Sequence, residues 1–569
     1  MNPLPVDRHE TDVLIIGGGA AGSMAAFEAA EAGVSVIQAT KGVATSGTVT
    51  YARGGFAAAL GADDSPEQHL ADILAHGGEL IDRALTEAWV HEIPEIVDDL
   101  ERWGAGFVRD DQGDLDLKRF PNHSQARAVH HHDMTGNKLT KALSNRLRPD
   151  ARIGQHSQTA IVDLLVRDGR VVGAWGMEYS RGRLVLYAAR QIIICTGGGS
   201  GLFYVNDNPP QVTGGGYALG LRAGIPLIGI EMIDFQAMCT SPEELFGFAP
   251  HPTGFINAGA VFRNRDGEAF LRRYFPDTAE RSTRSEVILA MAKEIHAGRA
   301  GKTGGIFMDA TDVPLEVILE QIPSVYQRCL SRGIDITTTP LEVAPGSHTW
   351  LGGLKIDTDA RTPVPGLWAA GESAGGIHGG NRIGGSAISS ALVFGRRAGR
   401  AASGAAKERP SPVPAEDLHI PDDDASWMAS LLQRTDGVPQ SSVRLRCRMA
   451  AHEHLGPLRE AGGLREAIAE FEGIEHEDLA RLTLDPDSAG SARERREALE
   501  SALSLRNMAL VGKAVAVAAL AREESRGAHY RLDHPERDDG RWRAVSRVER
   551  DADGSLQVHK DDIEPPVDG

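Results

Sequence analysis

At 569 residues, with 41% hydrophobic and 24% charged positions, the chain exceeds one compact core and predicts about three globular domains. Its formal net charge of -19 repels a phosphate backbone, which argues against nucleic acid as a partner and leaves room only for a local basic pocket around an anionic substrate. Cys195, Cys239, Cys329 and Cys447 stand far apart with no CxxC pair. That excludes an iron–sulfur or zinc site of the usual spacing, so no metal is expected, and it suits a reducing cytoplasm. The opening residues carry no apolar h-region and no twin arginine. No uninterrupted apolar stretch reads as long enough to span a bilayer, so direct membrane insertion is not expected.

In chain order, the first predicted element is a strand over Asp12–Ile16 that runs into Gly17-Gly18-Gly19-Ala20-Ala21-Gly22. An alanine-rich helix follows to about Ala32, then a second strand over Val34–Ile37. This is a βαβ unit with glycines at its first turn. Glycine at 17 permits the tight turn, glycine at 19 lets backbone approach a pyrophosphate, and glycine at 22 lets helix and strand pack closely. The helix N-terminus then presents unpaired N–H groups to the phosphates. The acid that ordinarily grips the ribose after the second strand is replaced in Gln38-Ala39-Thr40-Lys41. Ribose contacts must therefore come from other groups, Gln38 serving only weakly.

A further apolar strand, Gln191–Cys195, ends in Thr196-Gly197-Gly198-Gly199, and a third glycine-rich strand end lies at Gly366–Glu372. The three are expected in one sheet. Residues 235–345 mix helices, prolines and charged turns and read as an inserted capping domain. A Pro- and Asp-rich linker follows between Arg409 and Asp424, and helical periodicity resumes from Ala425 to about Glu524. The tail after Gly540 is polar and is expected to pack loosely. The resulting fold class is α/β: a Rossmann-like FAD-binding domain with an inserted α+β capping domain and a C-terminal helical bundle. The divisions are 1–234 and 346–405 for the FAD domain, 235–345 for the cap, and 420–569 for the helical domain and tail. FAD is preferred to NAD because the glycine motif sits at the extreme N-terminus, is answered late by Gly371-Glu372, and has no second copy for a nicotinamide.

Several blocks then coincide. Thr50–Ala59, His348–Gly353, Pro365–Glu372, His378–Gly385 and Glu524–Arg531, followed by Arg537–Asp539 and Trp542, resemble the succinate dehydrogenase and fumarate reductase flavoproteins and L-aspartate oxidase. The resemblance covers nearly the whole chain in order and spacing. It implies a mobile cap, a C-terminal three-helix bundle, and hydride transfer between a carboxylic acid and flavin N5 at the cap interface. It also implies that His348 and Arg382 hold substrate carboxylate and that Arg284 shuttles the proton. Bidentate pairing of arginine with carboxylate gives the Arg382 role a physical basis. Cofactor contacts are expected from Gly17, Gly19, Ala20, Ala21, Gly22, Thr40, Lys41, Thr48, Gly54 and Gly55, and from Thr196, Gly197, Gly198, Glu372, Ser386 and Ile388.

Three departures from the family pattern stand out. Thr48 occupies the position of the histidine that tethers FAD in the complex-type members, so non-covalent FAD is expected, with a lowered potential that disfavours succinate oxidation. Met238 stands in register where a substrate-binding histidine is expected, while His251 and Thr253 form a His-Pro-Thr-Gly run thirteen residues later. Met238 and His251 remain alternatives for that place. The segment Gly254–Gly259 replaces the family's threonine and glutamate for a second carboxylate. The expected function is an FAD-dependent dehydrogenase or reductase acting on a carboxylic acid, by α,β-dehydrogenation or enoate reduction, on a substrate other than succinate. Amine oxidation of an aspartate-like substrate by oxygen and a non-catalytic FAD-binding homologue are the alternatives. The expected partners are a small carboxylate or amino acid and an electron-transfer partner or oxygen. Nothing in the sequence sets the oligomeric state.

Overall fold

A computed structural model describes residues 5–563, apart from 44, 46, 78, 133, 149, 251, 410 and 486–490. Its centre is a seven-stranded sheet. Strand Val6–Ile16 lies between Val36–Ala39 and Arg183–Ile194, parallel to both. Leu367–Ala369 adds in parallel to the end of Arg183–Ile194, so all three glycine-ended strands share one sheet and finish at one edge. The first strand is apolar on both faces from Val13 to Ile16, as a strand covered on both sides must be. Antiparallel strands Thr159–Arg167 and Arg170–Glu178 extend the sheet on the other flank.

Helix Ala20–Glu31 packs on the long helix Ser386–Lys407. Alanines on one and glycines on the other make this crossing possible. A Cβ at Gly395 or Gly399 would come within 2.4 Å or 2.6 Å of the carbonyl oxygens of Ala21 and Ala25. The first helix is thereby pressed against the sheet with its N-terminus held at the strand edge.

Residues 233–350 build a four-stranded antiparallel sheet in the order Ile233–Ser241, Leu341–Trp350, Ile306–Asp309, Val261–Arg263. Its first two strands, Ile233–Ser241 and Leu341–Trp350, pair with each other and carry the chain into and out of this segment. In the C-terminal part, helices Gln440–His454, Ala461–Gly473 and Ala492–Ala521 pack on one another. The last of these is long and apolar enough to cross a membrane by length and composition, but most of it is buried against the rest of the chain.

The tail corrects one expectation. Ala544–Arg550 and Leu556–Asp562 form an antiparallel hairpin, and the first strand pairs with Leu227–Ile228 of the flavin-side segment. Ala544, Ser546 and Val548 alternate inward, a period-two pattern diluted by the charges on its other face. The linker is also strapped down: Arg8 donates to the carbonyls of Ala415 and Leu418 at 2.6 Å and 2.8 Å.

A buried ionic chain joins the C-terminal part to the sheet. Arg522 donates to Glu231 and to Glu524 at 2.8 Å each, and all three side chains are inaccessible. Ser546 caps the other Glu231 oxygen at 2.5 Å, and Arg459 holds the Glu231 carbonyl at 2.8 Å. Removing one member of such a pair strands a buried charge and costs about 3–5 kcal/mol. Arg522→Ala is expected to lower the thermal midpoint strongly. The double variant Arg522→Met with Glu231→Leu should recover most of the loss, because Glu231 is gone and Glu524 keeps Arg526 as its partner.

Candidate active site

One cavity of about 1130 Å³ runs from the glycine turn to the cap. At the turn, Gly17 has φ +120° and a Cβ there would sit 2.1 Å from the Cys195 carbonyl oxygen. No side chain caps the helix that follows, and no acid stands in its first turn. Its first N–H groups therefore face the cavity with the positive end of the helix dipole behind them. Around Gly19 there is open space within 4 Å of the Cβ position, so a side chain would occupy the cradle itself. These features fit a dinucleotide pyrophosphate.

Of the expected cofactor residues, Gly17, Gly19, Ala20, Ala21, Thr40, Lys41, Thr48, Gly54, Gly55, Thr196, Gly197, Glu372 and Ile388 line this cavity. Gly22, Gly198 and Ser386 do not. Gly22 packs on the Gly17 carbonyl and Gly198 on the Glu372 carboxylate, so both act through close backbone approach. Ser386 is buried at the start of its helix. Gln38 is turned away from ribose: its amide donates to the Gly17 carbonyl at 3.3 Å and braces the turn.

At the cap end, three groups from separate segments converge. Arg284 is the first residue of helix Arg284–His296, which is closed by a Thr283–Glu286 capping box. A cation at a helix N-terminus opposes the dipole; here it is held by Asp234, whose Oδ2 accepts from Arg284 Nη2 at 2.5 Å. The same oxygen accepts from Arg382 Nη2 at 3.1 Å. Burial alone would raise the Asp234 pKa, but Arg284 and then Arg382 outweigh it and keep the carboxyl below its ordinary range. The Nε atoms of both arginines are buried without a hydrogen-bond partner among the described residues.

His348 reaches the cavity through a β-bulge. Asp234 pairs with Thr349 and Phe235 with Ser347, so His348 is the extra residue, and the irregularity re-aims its ring. Its Nδ1 lies 2.9 Å from Asp207 Oδ2, and Gln236 donates to the same carboxylate at 2.6 Å. This fixes the ring and leaves Nε2 toward the cavity. Asp207, Asp234 and Gln236 are site residues that the sequence reading did not find. Asp234 had one available signal: it precedes the segment in which a substrate histidine was sought.

Met238 is a correction. It is fully buried, and its sulfur fills the space a Cβ on Gly346 would need, so it packs the cap core and does not line the cavity. Gln236 and Met238 share one face of their strand, and Gly346 on the neighbouring strand, which carries no side chain, leaves the room the Met238 sulfur fills. His251 lies outside the described residues; Thr253 falls on helix Pro252–Ala258. His378 is buried next to Arg382, and burial followed by that charge pulls its pKa down to about 3, so it is a neutral ring at all working pH values.

Comparison with known proteins bears on the same residues. A family model described as an FAD binding domain matches residues 12–388, and one described as fumarate reductase flavoprotein C-term matches residues 444–566. The chain is 34% identical to one subunit of the fumarate reductase (CoM/CoB) of Methanothermobacter marburgensis, over 93% of this chain and 95% of that one. It is 32% identical to the L-aspartate oxidase of Streptomyces coelicolor, over 98% and 95%. Among solved structures it resembles Mycobacterium smegmatis Sdh1 in complex with UQ1, with TM-score 0.89, 31% identity and coverage of 99% and 96%.

Glu372 accepts the Trp350 N–H at 2.8 Å, and burial pushes its pKa up to about 7. Below that value the carboxyl is neutral; above it a negative charge is added to the cavity wall, within electrostatic reach of His348, Arg382 and Asp207. FAD affinity is therefore expected to fall as pH rises through about 7, and Glu372→Gln should flatten that dependence, read by flavin fluorescence titration.

Proposed function

The chain belongs to the fumarate reductase, succinate dehydrogenase and L-aspartate oxidase family of FAD-dependent oxidoreductases, and we propose that it interconverts a saturated carboxylic acid and its α,β-unsaturated counterpart. The observation that carries this reading is that Arg284 and Arg382, both lining the cavity, share the buried Asp234 carboxylate behind them. Bound FAD supplies the two-electron chemistry, accepting or returning a hydride. The chain supplies the rest. Arg382 and His348 anchor the carboxylate and stabilise the charge that develops on it as the neighbouring C–H bond breaks. Arg284 exchanges the proton at the adjacent carbon. Asp234, hydrogen-bonded to Arg284, holds that guanidinium at a fixed point, so the proton is given and taken at one position over the substrate.

Thr48 lines the cavity and offers no nitrogen for a flavin bond, which supports FAD held without a covalent tether. The loss of a family-type second carboxylate clamp supports a substrate other than succinate. Relatives named as subunits support a separate electron-transfer protein as the redox partner, and four unpaired cysteines support a cytoplasmic location.

The test is anaerobic reduction of the flavin by a panel of mono-, di- and tricarboxylates and amino acids. A saturated carboxylate should bleach it and the matching enoate should restore the colour. Arg284→Ala should slow bleaching by about 10²–10⁴-fold, as for loss of a general acid–base group, with the visible spectrum unchanged. Equal rates in that variant would remove Arg284 from the mechanism. Peroxide formed from aspartate in air would favour amine oxidation instead. Acid precipitation should release FAD into the supernatant.

A further inference from the structure

The second strand ends without the acid that ordinarily accepts hydrogen bonds from a dinucleotide ribose. The same end of the cavity is reached from elsewhere. Helix Ala492–Ala521 lays Ser504, Asn507 and Val511, which share one face at spacings of three and four, across the loop that opens helix Gly215–Arg222. A Cβ at Gly214 would meet Val511 at 3.1 Å, and one at Gly215 would lie 3.6 Å from Asn507 Nδ2 and 4.0 Å from Lys41 Nζ. Lys41, Gly215 and Asn507 all line the cavity.

The orientation of the Asn507 amide is set by its neighbour. Arg222 Nη1 lies 2.9 Å from Oδ1, and a guanidinium can only donate, so the oxygen must be on that side and the nitrogen on the other. Arg222 is itself held by Asp163 at 2.9 Å. The Nδ2 donor has no hydrogen-bond partner among the described residues and faces the space over Gly215. Lys41 spends one of its three donors on Ser504 Oγ at 3.2 Å, and no carboxylate among the described residues lies within ion-pair reach of it. Burial pulls its pKa down, with Glu500 acting against that. Two donors with spare protons thus flank a position where a glycine leaves room.

We infer that the adenosine ribose of FAD is held by donors, Asn507 Nδ2 and Lys41 Nζ, which bond its hydroxyl oxygens where an acceptor would ordinarily take its hydroxyl protons. The pyrophosphate occupies the helix N-terminus at Gly19–Ala21, and the ribose follows it toward the end of the second strand in this fold, which is where these two donors meet. The C-terminal bundle is then part of the cofactor site, and Asn507 is a binding residue contributed by a domain outside the nucleotide fold.

The experiment strips the full-length protein of flavin and titrates it with FAD and with the analogues lacking the adenosine 2′- or 3′-hydroxyl, reading quenching of flavin fluorescence. Wild-type protein should bind at least one analogue about tenfold more weakly than FAD, the scale of one hydrogen bond lost in a buried site. Asn507→Leu should bind FAD about tenfold more weakly and discriminate less between FAD and that analogue. Lys41→Met should behave alike. If Asn507→Leu weakens FAD and the analogue by the same factor, Asn507 only braces Arg222 and the inference fails. If wild-type protein binds both analogues as tightly as FAD, no hydroxyl is recognised and it fails without reference to any variant.

Discussion

A single carboxylate ties the two halves of the active site together. Asp234 stands at the root of the cap ribbon, Arg284 begins a cap helix, and Arg382 belongs to the glycine-rich segment of the flavin domain. One oxygen of Asp234 takes a donor from each arginine. Without it, two guanidinium groups would face each other across a site with little water to screen them, and the cap would be repelled from the flavin domain. With it, both arginines are held on one oxygen and the segments that carry them are joined at the cavity.

The supports of that carboxylate come from a distance. Three residues before Asp234, Glu231 is locked by Arg522, Ser546 and Arg459. Two residues before Arg382, the Gly380 carbonyl accepts the Ala528 N–H at 2.8 Å. Both anchors lie in the C-terminal part of the chain. The bundle and hairpin thus serve as the rigid body that sets the spacing between Asp234 and Arg382, which explains why the tail is docked in a sheet when its composition suggested a loose end. Buried ion pairs seldom add net stability over apolar packing; their value here is directional, since each arginine admits one geometry.

Much was legible beforehand because it depends on local rules. The glycine turn, the flanking strand and the helix follow from periodicity and from what glycine alone permits at Gly17. The family resemblance singled out Arg284, His348 and Arg382, and all three line one cavity. Illegible were the groups that act through them. Asp207 and Asp234 lie far along the chain from the histidine and arginines they orient, and only Asp234, beside the segment in which a substrate histidine was sought, carried any local signal. Met238, one of the two alternatives that linear register left open, packs against Gly346 away from the cavity.

By itself the sequence determined the glycine-turn dinucleotide cradle, a property of residue type and short-range spacing that backbone sterics decide locally, while the family resemblance pointed to His348, Arg382 and Arg284 for a carboxylate and to Thr48 where a flavin tether would form. The tertiary structure decided which charges neutralise which, that His348 is turned inward by a bulge, and that Asn507 reaches the cavity from the last long helix. Those depend on groups distant in sequence whose desolvation makes each pairing obligatory, and only the packed chain brings them within bonding distance.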